Sequence, residues 1–225
     1  MNADVIIIGS GMGGATLAAA LAPSGKRIVI LERGRHLNAS PQDRDAEAIF
    51  ANGVFRPEEH WLDVNDQPFN PGNYYNVGGN SKFYGAALIR YRASDFGAGA
   101  DNWPIDYDTL EPDYQAAEEM YHVRGDSSED PTEPSHSGPY PHPPVPDEPD
   151  MADLRARLRQ AGLTPSHIPL GVDLPTWLAA GQTTWDAYPN TCGGKMDAET
   201  CGLARALAFD TVTLRTECEV VGLTS

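Results

Sequence analysis

"ADVIIIGSGMGGATLAAALAPSGKRIVILERG", residues 3–34, decides the fold. Val5 to Ile8 are a short all-apolar run, read as a buried strand of a parallel sheet. Gly9-x-Gly11-x-x-Gly14 follows without a spacer, so the chain must turn sharply and start a helix at once. Glycine permits both. Ala15, Ala18, Ala19 and Ala22 keep that helix slim, and Arg27 to Leu31 read as a second apolar strand ending at Glu32.

This spacing meets the needs of a dinucleotide. Gly9 allows the tight strand-to-helix turn, Gly11 lets the backbone approach a pyrophosphate, and Gly14 lets the helix pack closely on the strand. The N–H groups and dipole at the helix start favour the anionic phosphates. Glu32 stands 18 positions after Gly14, close to the ~20 at which a carboxylate accepts ribose hydroxyls. An acid there suits an unphosphorylated ribose, hence NAD or the adenosine half of FAD, and the motif does not choose between them.

Composition narrows the partners. The chain has 225 residues, 40% of them hydrophobic, enough for one large domain or two modest ones. Its formal net charge of −16 argues against nucleic acid and anionic membrane surfaces, which require basic patches. No apolar run approaches the ~18 residues of a membrane span. The first strand begins at once, leaving no room for a signal sequence, so the chain is read as cytoplasmic. Cys192, Cys201 and Cys218 include no Cys-x-x-Cys pair, and the six histidines are scattered, so neither a disulfide framework nor a metal site is expected.

Further along, His36 to Asn73 is polar and broken by prolines, expected as loop with short helices. Asp106 or Asp108 caps a helix whose face carries Leu110, Tyr114, Ala117 and Tyr121, with Pro112 in the first turn. From Asp126 to Asp150 eight of the 19 prolines occur, and this excursion is expected to bury little. Met151 to Ala161 reads as an amphipathic helix with Met151, Leu154, Leu158 and Ala161 on one face. Ala198 to Ala208 reads as another helix, and Thr211–Leu214 and Glu219–Leu223 as strands.

Short-chain dehydrogenases use Tyr-x-x-x-Lys, but the residues four before Lys26, Lys82 and Lys195 are Ala22, Gly78 and Thr191, which excludes that motif. Four segments in order instead resemble the glucose-methanol-choline (GMC) family of FAD-dependent oxidoreductases. They are "IIIGSGMGGATLAAALA" (6–22) with "VILERG" (29–34), "NVGGNSKFYGAALIRYR" (76–92), "WPIDYDTLEPDYQAAEEMY" (103–121) and "GKMDAETCGLARALAFDTVTLRTECEVVGL" (194–223). The second is similar to the family's Gly-Gly-x-Ser signature loop, with Tyr84 where many members carry Asn.

The resemblance implies an α/β fold: a Rossmann-like FAD-binding domain with a partial α+β substrate-domain portion, incomplete at the C-terminus. Residues 1–92 would be the first part of the FAD domain, 93–190 a substrate or cap segment containing the excursion 126–150, and 191–225 the returning FAD-domain segment. Gly9, Ser10, Gly11, Gly13 and Gly14 would hold the pyrophosphate, Glu32 the adenosine ribose, and Arg33 would lie beside adenine. Gly78, Gly79, Ser81, Tyr84, Gly85 and Ala86 would cradle pyrophosphate and flavin from the other side, and the backbone of Val220 would meet adenine. Members that attach FAD through histidine place it two residues after the loop serine; Phe83 stands there, which implies noncovalent FAD.

The implied activity is oxidation of a small-molecule alcohol by hydride transfer to FAD, with a histidine as base. That histidine is expected beyond Ser225, so no catalytic residue is assigned within the chain and a C-terminal complementing chain is an expected partner. Two alternatives stand beside this reading, a non-catalytic nucleotide- or flavin-binding partner module and an NAD-binding dehydrogenase domain.

Overall fold

Val5–Ile8 form β1 and Ile28–Leu31 form β2, paired in parallel with Val5 opposite Ile28 and Ile8 opposite Leu31. Between them Met12–Leu21 form α1, whose Ala15 and Ala18, with Ala22 just beyond, are completely buried against the sheet. The computed structural model describes residues 2–96, 103–181 and 186–224. Residues 97–102 and 182–185, inside the predicted cap segment, and the terminal Met1 and Ser225 lie outside the described residues.

The remaining elements, in chain order, are a short hairpin of β3 (Trp61–Leu62) and β4 (Pro68–Phe69), α2 (Ala93–Phe96), α3 (Tyr107–Met120) and β5 (Val123–Arg124). Then come α4 (Pro149–Gln160), β6 (Leu170–Gly171), α5 (Leu174–Ala179), α6 (Ala204–Leu207) and β7 (Val212–Arg215). They divide into two compact units, Met1–Gly85 with Pro175–Ser225, and Ala86–Leu174.

The first unit is built on a three-stranded parallel sheet in the order β1-β2-β7, with Ile28 opposite Val212 and Leu31 opposite Arg215. Ile7, Ile28, Ile30 and Val212 point into one core with the alanines of α1, Val77, Leu203 and Ala206. The opposite face is open: Ile6 and Ile8 are 61% and 54% exposed. Among the described residues no strand pairs with the outer edge of β1. An all-apolar parallel strand is normally covered on both faces and paired on both edges.

The predicted helix near Ala198 is a π-helical turn, Glu199–Leu203, running into α6. The predicted strand Glu219–Leu223 does not form. Its approach is tied by Glu217 N–H to Gly34 O and Cys218 N–H to Glu32 O, after which Val221 and Leu223 lie 94% and 84% exposed. β-propensity alone does not make a strand where no neighbouring strand supplies a ladder.

In the second unit Asp106 caps α3, accepting the Thr109 N–H at 2.9 Å. Tyr121 is buried with the half-buried stripe Leu110, Tyr114 and Ala117, while Pro112 lies inside the helix rather than in its first turn. β5 and β6 pair antiparallel. The excursion forms no helix before Pro149, but it buries more than its composition suggested: Tyr140 is 7% exposed and packs on Gly125, where a Cβ would stand 2.7 Å from the ring. α4 forms with Pro149 in its first turn, yet its expected apolar face is only partly covered, with Met151 and Leu154 about half exposed and Leu158 half-buried. Its anchor is polar, Arg155 donating to Asp147 at 2.6 and 3.0 Å. Amphipathic spacing buries a face only where a partner surface meets it.

No helix among the described residues is long and apolar enough to cross a membrane. Nor do His, Cys, Asp and Glu gather there into a group that could hold a metal ion.

Candidate dinucleotide site

The first glycine turn has the strain that only glycine accepts. Gly9 sits at φ +91° and its N–H bonds to Leu31 O at 2.8 Å, tying the turn to the end of β2. At Gly14 a Cβ would stand 2.1 Å from Gly9 O, so helix and turn are in contact through the missing side chain. At Gly11 a Cβ would meet nothing within 4 Å, and the space beside it is open. Gly11 is also the N-cap of α1, with no side-chain cap and no acid in the first turn. The orphan N–H groups there suit an anion.

The second glycine turn arrives from Asn76–Lys82. Gly78 and Gly79 have φ of +87° and +56°. The turn is held by Ser81 Oγ donating to Gly78 O at 2.6 Å and by Asn76 Nδ2 donating to Gly79 O at 3.2 Å. The Gly78 N–H donates to Ser10 Oγ at 3.1 Å, and a Cβ on Gly79 would lie 3.5 Å from Gly11 Cα. Two loops 68 residues apart in sequence therefore meet.

Where they meet is a cleft of ≈ 330 Å³ lined by Gly9, Gly11, Glu32, Arg33, Gly79 and Val220, together with Tyr74, Tyr75, Cys218 and Glu219. That volume suits one half of a dinucleotide. The absence of a Cβ at Gly11 and Gly79 makes it a backbone cradle, and these residues fit the ADP portion of FAD or NAD.

Residues 7–75 match the NAD(P)-binding Rossmann-like domain family. The 2-methyl-1,2-propanediol dehydrogenase of Mycolicibacterium austroafricanum is 29% identical over 159 aligned residues, covering 63% of this chain and 28% of that protein. The 6'''-hydroxyparomomycin C oxidase of Streptomyces lividus is 31% identical over 131 residues, covering 54% of this chain and 23% of that protein. Proteins homologous to this chain are GMC-type oxidoreductases. The pyridoxine 4-oxidase from Mesorbium loti shares the fold, with a TM-score of 0.55 at 17% identity over 96% of this chain and 42% of that one. The chain spans less than a third of the length of the curated GMC-type relatives it matches, at 28% and 23%.

The residues named from sequence take different places in the structure. Gly9, Gly11, Glu32, Arg33, Gly79 and Val220 line the cleft. Ser10 is buried behind it, donating from N–H and Oγ to Glu32 Oε2 at 3.0 and 2.7 Å, while Glu32 Oε1 accepts the Gly34 N–H at 2.8 Å. Arg33 lies 4.0 Å over the Tyr75 ring and 3.5 Å from Glu219. Gly13 is exposed, Gly14 packs on Gly9, and Gly78 is the hinge of the second turn. Ser81 faces inward, accepting the Ala198 N–H at 3.0 Å; Tyr84 donates to Met196 O at 2.6 Å; and Gly85 lies against Asp186. Ala86, at φ +61°, belongs to the second unit, where its carbonyl accepts the Gly171 N–H.

Sequence reading missed the charges beneath the second turn. Two of the chain's three lysines, Lys82 and Lys195, are buried there. Burial opposes the Lys82 charge, but Asp197 and Glu199 prevail and hold its pKa above the usual lysine value. Lys195 donates to Tyr84 O at 2.9 Å and Tyr188 O at 3.0 Å, and burial pulls its pKa down to about 8 against the pull of Asp186 and Asp197. The available signal was a lysine inside each of two small-residue stretches, GGNSKFYG and GGKMDAETCG. Gly34 was also passed over, although a Cβ there would stand 2.0 Å from Tyr75 O.

Proposed function

We propose that this chain is the FAD-binding portion of a flavin-dependent oxidoreductase that oxidises the CH–OH group of a small alcohol. The observation that carries the reading is the meeting of the two glycine turns around one cleft that ends at Glu32, Arg33 and Val220. The backbone of Gly11 and the start of α1 would face the pyrophosphate, with Gly79 closing from the other side. Glu32 would orient the adenosine ribose through the capacity left on Oε1, since Ser10 and Gly34 fix its plane. Arg33, Tyr75 and Val220 would enclose adenine. When bound, FAD accepts a hydride from the carbinol carbon.

We read the flavin as noncovalent. Phe83 offers no nucleophilic atom, and its ring is buried in a stack with Tyr74, centroids 3.9 Å apart. The base that takes the hydroxyl proton is assigned to polypeptide supplied beyond these residues. The open edge of β1 and the exposed Ile6 and Ile8 favour such a complementing segment. A cytoplasmic setting accords with three free cysteines.

The test is the absorbance spectrum of purified residues 1–225 after exposure to FAD, followed by anaerobic addition of a panel of alcohols with and without a complementing C-terminal segment. Flavin absorbance that bleaches only when the segment is present is expected. Retention of NAD with no affinity for FAD would favour a nicotinamide enzyme. Flavin that no alcohol bleaches in either arm would favour a non-catalytic module.

A further inference from the structure

Beneath the second glycine turn lies a charge cluster whose members do not line the cleft. Lys82 Nζ is 3.0 Å from Asp197 Oδ2 and 2.8 Å from Glu199 Oε2, with the lysine side chain 6% exposed and the aspartate fully buried. Asp197 is itself held by Asn190 Nδ2 at 2.6 Å and the Thr200 N–H at 2.8 Å, and the other Glu199 oxygen meets His36 Nδ1 at 2.6 Å.

The lysine stem supports the turn directly. A Cβ on Gly78 would stand 2.9 Å from Lys82 Cδ and 3.3 Å from Glu199 Cβ, so the turn rests on this pair. The Asn190 N–H donates to Lys82 O at 2.7 Å, which fixes the backbone from the same side. A buried ion pair is a weak source of stability, because desolvation offsets the attraction. Its directional partners fix geometry instead.

We propose that Lys82 is a positioning residue for the dinucleotide. By pairing with Asp197 and Glu199 it holds the Gly78–Gly79 turn at the separation from Gly11 that a pyrophosphate requires. This rests on the FAD-binding reading above, and the test separates the two.

Lys82→Met, Lys82→Arg and Lys82→Met/Glu199→Gln are compared with the unaltered chain by FAD titration and by amide hydrogen exchange without ligand. Expected are an FAD Kd raised by roughly tenfold or more in both Met variants and faster exchange confined to residues 77–82, with β1 and β2 still protected. Lys82→Arg should restore affinity to within about threefold. Unaltered exchange at the turn and unaltered FAD affinity in the folded double variant would overturn the proposal. So would loss of protection across β1 and β2 as well, which would make Lys82 a residue of stability. If the unaltered chain bound no FAD, the cofactor reading would fail, while exchange would still report whether Lys82 fixes the turn.

Discussion

Ser10 and Glu32 grip each other from opposite ends of the β1–α1–β2 unit, Ser10 giving both its backbone N–H and its hydroxyl to one carboxylate oxygen, at 3.0 and 2.7 Å. The same hydroxyl accepts the Gly78 N–H. The carboxylate that would read the ribose is thus coupled to both glycine turns. Ser10→Ala leaves the Gly78 N–H without that acceptor and the buried Glu32 short of one donor. Chemical denaturation should register a loss of about 1–3 kcal/mol. A midpoint unchanged from the parent would show that the contact contributes nothing.

Gly14→Ala and Gly11→Ala should separate folding from binding. At Gly14 the new methyl would press on the Gly9 carbonyl at 2.1 Å, backbone that cannot step aside, so a loss of about 1–3 kcal/mol is expected. At Gly11 the methyl meets no protein atom within 4 Å, and stability should stay within about 0.5 kcal/mol. FAD affinity should nevertheless fall, and Gly11→Asp should abolish it through steric and like-charge exclusion. Thermal melts beside FAD titrations check both arms, and full FAD affinity in Gly11→Asp would refute the placement of the pyrophosphate.

Cys218 lines the cleft, whereas Cys201 is buried and burial pushes its thiol pKa up to about 12. At neutral pH iodoacetamide should label Cys218 and spare Cys201. Saturating FAD should slow Cys218 labelling alone, as followed by peptide mass spectrometry. Equal labelling with and without FAD would place the nucleotide elsewhere.

Lys195 makes a prediction about pH. Its pKa is about 8 in the folded chain and 10.5 ordinarily, so between those values the unfolded chain binds more protons. Stability from this group therefore rises with pH across that window, by ~3 kcal/mol in total. Lys195→Met should remove the rise, so the difference in unfolding free energy between parent and variant should widen in the parent's favour from pH 8 towards 10.5. A pH-independent difference would mean that Lys195 keeps its ordinary affinity for protons.

If the flavin is held noncovalently, as proposed from Phe83, acid precipitation of flavin-loaded protein should release the colour into the supernatant. Colour that stays with the pellet would reveal a covalent bond.

The β1–α1–β2 unit, its glycine turn and the acid at the end of β2 were legible in the chain alone. Each demand there, a positive φ at Gly9, a missing Cβ at Gly14, an all-apolar strand, is met by residues within one local window. A cap at Asp106 or Asp108 was legible for the same reason, and the structure selects Asp106. Tertiary structure decided what depends on distant partners. Among the described residues Glu219–Leu223 has strand-forming residues but pairs with no strand, and the apolar side of α4 is only partly covered. Ser81 and Ala198 are 117 residues apart, and Lys82 finds Asp197 and Glu199 across a similar interval. A buried lysine looks like a solvated one until the fold removes the water, because the carboxylates that justify its charge leave no periodicity around it in the chain.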